Sequence, residues 1–207
     1  NSQYDVFGNF SRAITPNGTP SPHLQWDPTE QEIFDAITDK RLDEEPMATI
    51  PEGMTARAFA AQVARERLRS AVPDVDTYCD AEINDSMYFT LFPNFHPWGA
   101  FNRINYRFRP VGTKVDECLM ECIYTEDFEG DERPAPAEYI ELGIDQEWTE
   151  LIPVIGNLAR VFHQDSFNLP KVQKGLETFR ADGLTLTKYQ EVKIRHWHAM
   201  AERFIAN

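Results

Sequence analysis

An aspartate interrupts an apolar helical pattern in the segment "FHQDSFNLP", residues 162–170. The positions of this pattern recur at steps of three and four, as they do along one buried face of a helix. They are Ile155, Leu158, Phe162, Asp165, Leu169, Val172 and Leu176. A carboxylate on a buried face is costly unless a cation or several hydrogen-bond donors satisfy it. The pattern therefore predicts a metal ion or a polar partner for Asp165.

Two partners other than a metal remain open for Asp165. Pro170 lacks an N–H group and pushes Leu169 towards an extended backbone, so we expect one helix to end near Asp165 and another to begin at Pro170. Asp165 would then cap the second helix through its backbone N–H groups. Alternatively, it would pair with an arginine such as Arg160.

The histidine spacing does not complete a metal site around Asp165. His163 is two residues away, which turns it by roughly 200° around a helix. His196 and His198 are separated in the same way, and neither His-x3-His nor His-x4-His spacing occurs. The sequence also lacks G-x-S-x-G, a glycine-rich phosphate loop and H-E-x-x-H. Spacing alone leaves Asp165 without an assigned function.

Composition excludes several classes of partner. The chain has 20 basic and 34 acidic residues and a formal charge of −14, which repels nucleic-acid phosphates and anionic membrane surfaces. No apolar run approaches the ~20 residues that cross a bilayer. Cys79, Cys118 and Cys122 form no C-x-x-C pair, so we expect reduced thiols in a cytoplasmic protein. We expect neither nucleic acid nor a membrane as a partner.

The periodicity of the chain predicts a sheet followed by helices. Strands are predicted in residues 1–14, 86–98, 100–111 and 117–127, and the last three form an antiparallel meander. Helices are predicted in residues 28–42, 55–72, 147–165, 170–179 and 187–206, with Thr55 as an N-cap. Strands clustered before helices predict an α+β domain in which a curved antiparallel sheet surrounds a long C-terminal helix.

Four segments in this order resemble a known family. They are "DAEINDSMYFTLFPNFHPWG", "NRINYRFRPVGTKVDECLMEC", "VFHQDSFNLPKVQKGL" and "YQEVKIRHWH". Together they are similar to the catalytic domain of the large (α) subunit of Rieske non-heme iron aromatic-ring-hydroxylating oxygenases. The resemblance implies a helix-grip, START/SRPBCC-like fold for residues 1–207 as a single catalytic domain.

The resemblance also implies an iron site. In this family a mononuclear Fe(II) is held by two histidines and one carboxylate, which leaves positions open for O₂. The family's Q-D motif, followed by Asn and Gln, matches Gln164, Asp165, Asn168 and Gln173, so Asp165 is the implied metal ligand. The segment that carries the two histidines is missing, and so are the cysteine–histidine pairs of the 2Fe-2S Rieske cluster. We therefore expect an inactive C-terminal part of a longer subunit.

A substrate pocket is implied along the strand that contains "LFPN" and along the helix before Asp165. The expected substrate-binding residues are Ser86, Tyr88, Trp98, Ile155, Leu158, Val161 and Phe162. The implied activity is dihydroxylation, monohydroxylation or demethylation of an aromatic substrate with O₂. Electrons would come from a reductase or ferredoxin, and the full-length subunits would form a homotrimer.

Two other functions remain open at this point. A non-catalytic helix-grip domain would bind a hydrophobic small molecule in its cavity. An interaction module would use Asp165 only as a helix cap. The sequence does not identify the aromatic substrate, because small changes in a hydrophobic pocket shift specificity by only a few kcal/mol.

Overall fold

Six β-strands form one curved antiparallel sheet in which each strand pairs with its neighbour in the chain. The strands are β1 (Gln3–Val6), β2 (Phe10–Thr15), β3 (Ser86–Leu91), β4 (Phe95–Pro97), β5 (Ile104–Pro110) and β6 (Cys118–Tyr124). The computed structural model describes residues 2–99, 101–125, 131–156 and 158–206. The sheet confirms the predicted antiparallel meander, and the described residues have the predicted mixed α+β architecture.

Two predicted strands are each divided into two. The first becomes the hairpin of β1 and β2, which the Phe7 amide closes by donating to the Phe10 carbonyl at 2.9 Å. The run 86–98 becomes β3 and β4, because Pro93 has no N–H group to donate to a sheet. Parts of the predicted elements lie outside the described residues, namely residues 1, 100, 126–127 and 157.

Helices lie between β2 and β3 in the chain and again after β6. They are α1 (Glu30–Ile37), α2 (Ala56–Leu68), α3 (Asp80–Asn84), α4 (Trp148–Leu151), α5 (Leu158–Thr178) and α6 (Val192–Ile205). The predicted N-cap of α2 is confirmed, since the Thr55 hydroxyl accepts a hydrogen bond from the Ala58 amide at 3.2 Å. No described helix is both long enough and apolar enough to cross a membrane.

The predicted helix break between Asp165 and Pro170 is wrong. The helix α5 runs without interruption from Leu158 to Thr178 and contains Pro170 in its interior. A proline inside a helix removes one backbone hydrogen bond and crowds the carbonyl of the residue four positions earlier, here Ser166. When the segments on both sides are helical, the helix bends at the proline more readily than it ends there. Asp165 therefore lies in mid-helix and cannot be an N-cap.

The apolar pattern of α5 is buried only in its first half. Phe162 is 4% exposed, whereas Leu169, Val172 and Leu176 are 48%, 55% and 42% exposed. The buried half packs with α4 on the β5–β6 end of the sheet, where Phe162 joins Ile104 in the larger core cluster. The helix α6 lies at the other end of the sheet, against β1 and β2.

A second cluster anchors the helices that precede β3. Phe34 of α1 packs against Ala56 and other residues of α2. The Arg57 guanidinium of α2 forms a two-point ion pair with Asp85, at 2.6 and 3.1 Å, just before β3 begins. Asp85 is only 7% exposed, and it also accepts a hydrogen bond from the Asn17 amide at 3.1 Å. This pair fixes α2 against the start of the sheet.

Candidate functional site

A cavity of about 640 Å³ lies between one face of the sheet and the helices α5 and α6. This volume is in the range that accommodates a small organic ligand. The sheet residues on its wall are Tyr4, Tyr88, Thr90, His96, Trp98, Tyr106, Phe108 and Met120. The helical side contributes Leu158, Val161, Phe162, Asp165, Asn168, Leu169, Gln190, Lys193, Ile194 and Trp197. The wall is mainly aromatic and aliphatic, with few charged groups.

Strand alternation places the aromatic groups on this face. Tyr88 and Thr90 are two residues apart on β3, and Tyr106 and Phe108 are two residues apart on β5, so each pair points to the same side of the sheet. Trp98 pairs with Tyr88 across an antiparallel bridge, and their ring centroids are 5.5 Å apart. The aromatic wall is therefore a direct product of the sheet register.

His96 is held in the neutral form at the cavity wall. Its ring stacks on Tyr106, and its Nδ1 atom lies 3.2 Å from the Thr90 hydroxyl. Burial lowers the pKa of His96 to about 4, and the nearby positive charge of Lys193 acts in the same direction. A neutral imidazole keeps the middle of the wall uncharged at pH 7.

Tyr106 stacks on His96 and lies near Asp165 on the cavity wall. Burial raises the pKa of Tyr106 to about 12, and the nearby Tyr88 hydroxyl and Asp165 carboxylate raise it further. The indole N–H group of Trp98 also faces Tyr106 but makes no hydrogen bond of acceptable geometry with any described residue. The indole nitrogen is itself buried.

Asp165 lies on the cavity wall, and its carboxyl group makes no ion pair or hydrogen bond with a described residue. Partial burial raises the pKa of its carboxyl group above the ordinary value, and no described residue pairs with it. Arg160, which the sequence offered as a partner, instead binds Glu44 at 3.0 Å. The sequence predicted Asp165 on a buried face, but its side chain is exposed. The reason is that α5 turns it towards the open cavity and not into packed protein.

Lys193 is the second charged group of the wall. Its ammonium nitrogen lies 4.2 Å from the centroid of the Tyr88 ring, which is a cation–π distance. Burial lowers the pKa of Lys193 to about 8. Within the described ranges no carboxylate forms an ion pair with it and no acceptor forms a hydrogen bond with it. Among the described residues, the Lys193 ammonium group is thus a cation on the cavity wall without an ionic partner.

Most of the predicted site residues lie on this wall. They are Tyr88, Trp98, Leu158, Val161, Phe162 and Asp165. Ser86 lies elsewhere, because its hydroxyl accepts a hydrogen bond from the Asn17 side chain at 3.1 Å. Ile155 also lies elsewhere, since it packs in the core against Trp148 and is 7% exposed.

Several polar wall residues were not among the predicted site residues. They are Tyr4, Thr90, His96, Tyr106, Asn168, Gln190 and Lys193. Tyr106 could have been found from its two-residue spacing to Phe108, and Lys193 from its four-residue spacing to Trp197 on one helix face. For His96 the sequence holds no such signal, because Pro97 ends its strand after three residues.

The described residues do not supply a complete iron site. Asp165 and His96 are the only carboxylate and the only histidine on the described cavity wall. No group of three His, Cys, Asp or Glu side chains in the described part of the chain is arranged to hold a metal ion. A facial triad needs two nitrogen ligands beside its carboxylate. The donor set present here therefore does not fit the iron centre that the family resemblance implies.

Comparison of the chain with protein-family models, with curated proteins and with solved structures finds no match. The main features of the cavity are an aromatic wall, a carboxylate on α5 and an ammonium group on α6 with no ionic partner among the described residues.

Proposed function

We propose that this chain binds an aromatic small molecule in the cavity, as the substrate-binding part of an oxygenase of the Rieske non-heme iron type with a helix-grip fold. The single observation that carries the proposal is the 640 Å³ cavity between the sheet and α5, whose wall combines stacked aromatic rings with the lone carboxylate of Asp165. A planar ring gains contact area and favourable ring geometry on such a wall.

The cavity residues have distinct roles in this proposal. Trp98 and Tyr88 form a tilted aromatic surface against which a ligand ring packs, and Leu158, Val161 and Phe162 cover the ring from the side of α5. The neutral His96 avoids placing a further charge, beside those of Asp165 and Lys193, next to the ring. Holding one edge of the ring near Asp165 would determine which carbon atoms react, since orientation sets regiochemistry.

Asp165 supports the oxygenase assignment through its position and lack of a partner. A charged group on an apolar cavity wall is unfavourable unless a cation or donor reaches it, and no described residue does so. Two nitrogen ligands beyond the described residues would be needed to complete an iron centre. We accordingly expect the 207-residue chain alone to bind Fe(II) weakly, and stoichiometric binding at micromolar affinity would contradict this.

Calorimetric titration of the chain with neutral 2-naphthamide tests the binding part of the proposal. Val161→Trp places a large ring into the wall and should weaken binding at least about tenfold, a loss of ~1.4 kcal/mol. Val172→Trp is the matched control, because Val172 is on the same helix but is 55% exposed and does not line the cavity. Equal affinity in the two variants would reject the cavity as the binding site.

The oxygenase part is tested in the full-length protein by measuring iron content and O₂-dependent turnover of an aromatic substrate. Asp165→Ala should abolish both, while Val172→Ala should preserve both. Intact turnover in the Asp165→Ala protein would reject Asp165 as a ligand. Absence of iron and of turnover in the wild-type protein would instead favour the second candidate, a non-catalytic domain that binds a hydrophobic small molecule. That candidate is favoured by the same apolar wall, which needs no metal to bind a ring.

A further inference from the structure

We infer that the aromatic ligand carries an anionic group, of the carboxylate class, which pairs with the ammonium group of Lys193. This inference rests on the proposed function, because it concerns the ligand of the same cavity. In this arrangement the ligand ring packs on Tyr88 and Trp98, and the anionic substituent of the ring points to α6.

The first step is the position of Lys193. Its stem comes from α6, and its nitrogen lies 4.2 Å from the centroid of the Tyr88 ring, inside the cavity wall and not in open solvent. An ammonium group at such a place has lost part of its hydration, and the ring face compensates for only part of that loss. An anion that enters the cavity can restore the remainder.

No described anionic group competes with a ligand for the Lys193 ammonium group. The other lysines of the region are exposed, and Lys171 lies over the Phe167 ring on the outer part of α5. In the described ranges, no carboxylate or carbonyl bonds to the Lys193 ammonium, and Asp165, the carboxylate on the same wall, does not contribute to its pKa. The donors of Lys193 are therefore available to a ligand.

The third step is the separation of the two charges. Lys193 lies over Tyr88 of β3, and Asp165 lies near Tyr106 of β5, with β4 between these strands. The two charges belong to side chains of α6 and α5, and Asp165 is not among the groups that shift the pKa of Lys193. Asp165 repels an anion at its own end of the cavity, so a ligand carboxylate is directed to Lys193 and the opposite edge of the ring is directed to Asp165.

The fourth step is the strength of the expected preference. A hydrogen bond that involves a charged group contributes more than a neutral one, and its loss weakens binding about 10- to 100-fold. An aromatic carboxylate should therefore bind much more tightly than its amide, which has nearly the same shape but no charge.

The test is calorimetric titration at pH 7 with three carboxylate and carboxamide pairs, built on benzene, naphthalene and biphenyl. The wild-type chain should bind the best-fitting carboxylate about 10- to 100-fold more tightly than the matching carboxamide. Lys193→Met should remove that preference while leaving carboxamide affinity within about twofold. Lys193→Arg keeps the charge and should keep the preference.

Lys174→Met is the matched control, because Lys174 is exposed on α5 outside the cavity wall. It should change neither affinity. A carboxamide that binds as tightly as its carboxylate, or a preference that survives in Lys193→Met, would overturn the inference while the proposed function stands. Failure of every carboxamide and carboxylate to bind would overturn the proposed function and the inference with it.

Discussion

The imidazole ring of His96 stacks on the phenol ring of Tyr106, with ring centroids 4.8 Å apart and planes inclined by 12°. Both rings lie on the cavity wall, and burial disfavours the charged form of each. The stack therefore joins two groups that remain neutral over a wide pH range, which keeps the centre of the wall suited to an uncharged ring.

The neutral state of His96 predicts a loss of stability in mild acid. Its pKa falls from 6.5 in the unfolded chain to about 4 in the folded protein. Because the unfolded state then binds more protons, the free energy of unfolding decreases as the pH falls from about 6.5 to about 4.

Denaturant unfolding of wild type and His96→Phe between pH 7.5 and 4 checks this prediction. The variant keeps an aromatic ring against Tyr106 but cannot take up a proton, so its stability should fall less steeply with acidity. His23→Phe changes an exposed histidine and should follow the wild-type curve. Parallel curves for all three proteins would show that His96 is not held neutral by the fold.

Gly18 tolerates a side chain less well than Gly53 does, because the backbone of Arg57 lies close to Gly18. Both glycines have positive φ, +74° and +80°. A Cβ atom on Gly18 would lie 2.5 Å from the Arg57 Cα atom, whereas a Cβ atom on Gly53 meets nothing within 4 Å. We expect Gly53→Ala to cost about 1–2 kcal/mol from its φ alone, and Gly18→Ala to cost about 2–5 kcal/mol because overpacking adds to it.

Thermal and urea unfolding of the two alanine variants distinguish these costs. The Gly18 change should also disturb the ion pair between Arg57 and the buried Asp85, since it pushes on the backbone of Arg57. Equal destabilisation of the two variants would mean that the contact between Gly18 and α2 is looser than the structure indicates.

Local rules predicted the elements well where a single residue type determines the geometry. Thr55 was assigned as an N-cap because its hydroxyl suits a free backbone amide, and that bond is present. Strand alternation put Tyr88 and Ser86 on one face of β3, but only Tyr88 lines the cavity, and the Ser86 hydroxyl accepts a hydrogen bond from the Asn17 side chain. The N-cap depends on an interaction that is short in sequence, whereas the contact of Ser86 is not.

The errors arose where tertiary packing decides between local alternatives. Pro170 disfavours a helix locally, but α5 continues through it because both flanking segments are helical. Burial of Leu169 was predicted from its place in the repeat, yet no described element covers that half of α5 and the side chain is 48% exposed. The position of Lys193 over Tyr88 joins residues 105 apart in the chain, which no local pattern contains.

Phe162 and Phe167 have opposite environments on one helix. Phe162 is 4% exposed and packs against Trp148, with ring centroids 5.5 Å apart, whereas Phe167 is 60% exposed. Phe162→Ala should lower the free energy of unfolding by about 3–5 kcal/mol, because it removes a buried ring and leaves a cavity. Phe167→Ala should stay within about 0.5 kcal/mol of wild type. Similar losses in both variants would contradict the packing of α5 on the sheet.

Replacement of Asp165 by asparagine should not destabilise the chain. The carboxylate makes no ion pair with a described residue. Its raised pKa means that the fold disfavours the charged form of the carboxyl group at pH values above the ordinary pKa of an aspartate. Stability linked to a raised carboxyl pKa is present at low pH and is lost as the pH rises, so removal of the charge costs nothing at pH 7. We expect a change within about 0.5 kcal/mol.

Urea unfolding of Asp165→Asn at pH 7 measures this, with Asp85→Asn as a contrast. Asp85 is buried and paired with Arg57, so its change should destabilise the chain by several kcal/mol. A loss of about 1 kcal/mol or more in Asp165→Asn would instead show that this carboxylate stabilises the fold.

The lowered pKa of Lys193 predicts that binding of an aromatic carboxylate weakens in alkali. The ammonium group of the free protein loses its proton near pH 8, so the affinity for 2-naphthoate should be constant below that pH and decrease above it, by about tenfold or more between pH 7 and 9.5. The other titratable groups on the described cavity wall are Tyr4, Tyr88, His96, Tyr106 and Asp165.

Calorimetric titration across this range separates Lys193 from those groups. The carboxamide should bind with the same affinity throughout, because it carries no charge to pair. Lys193→Arg should bind the carboxylate without a decrease, since a guanidinium group keeps its proton above pH 12. A decrease of equal size in Lys193→Arg would assign the pH dependence to another wall residue, and a flat wild-type profile would show that the ligand anion does not contact Lys193.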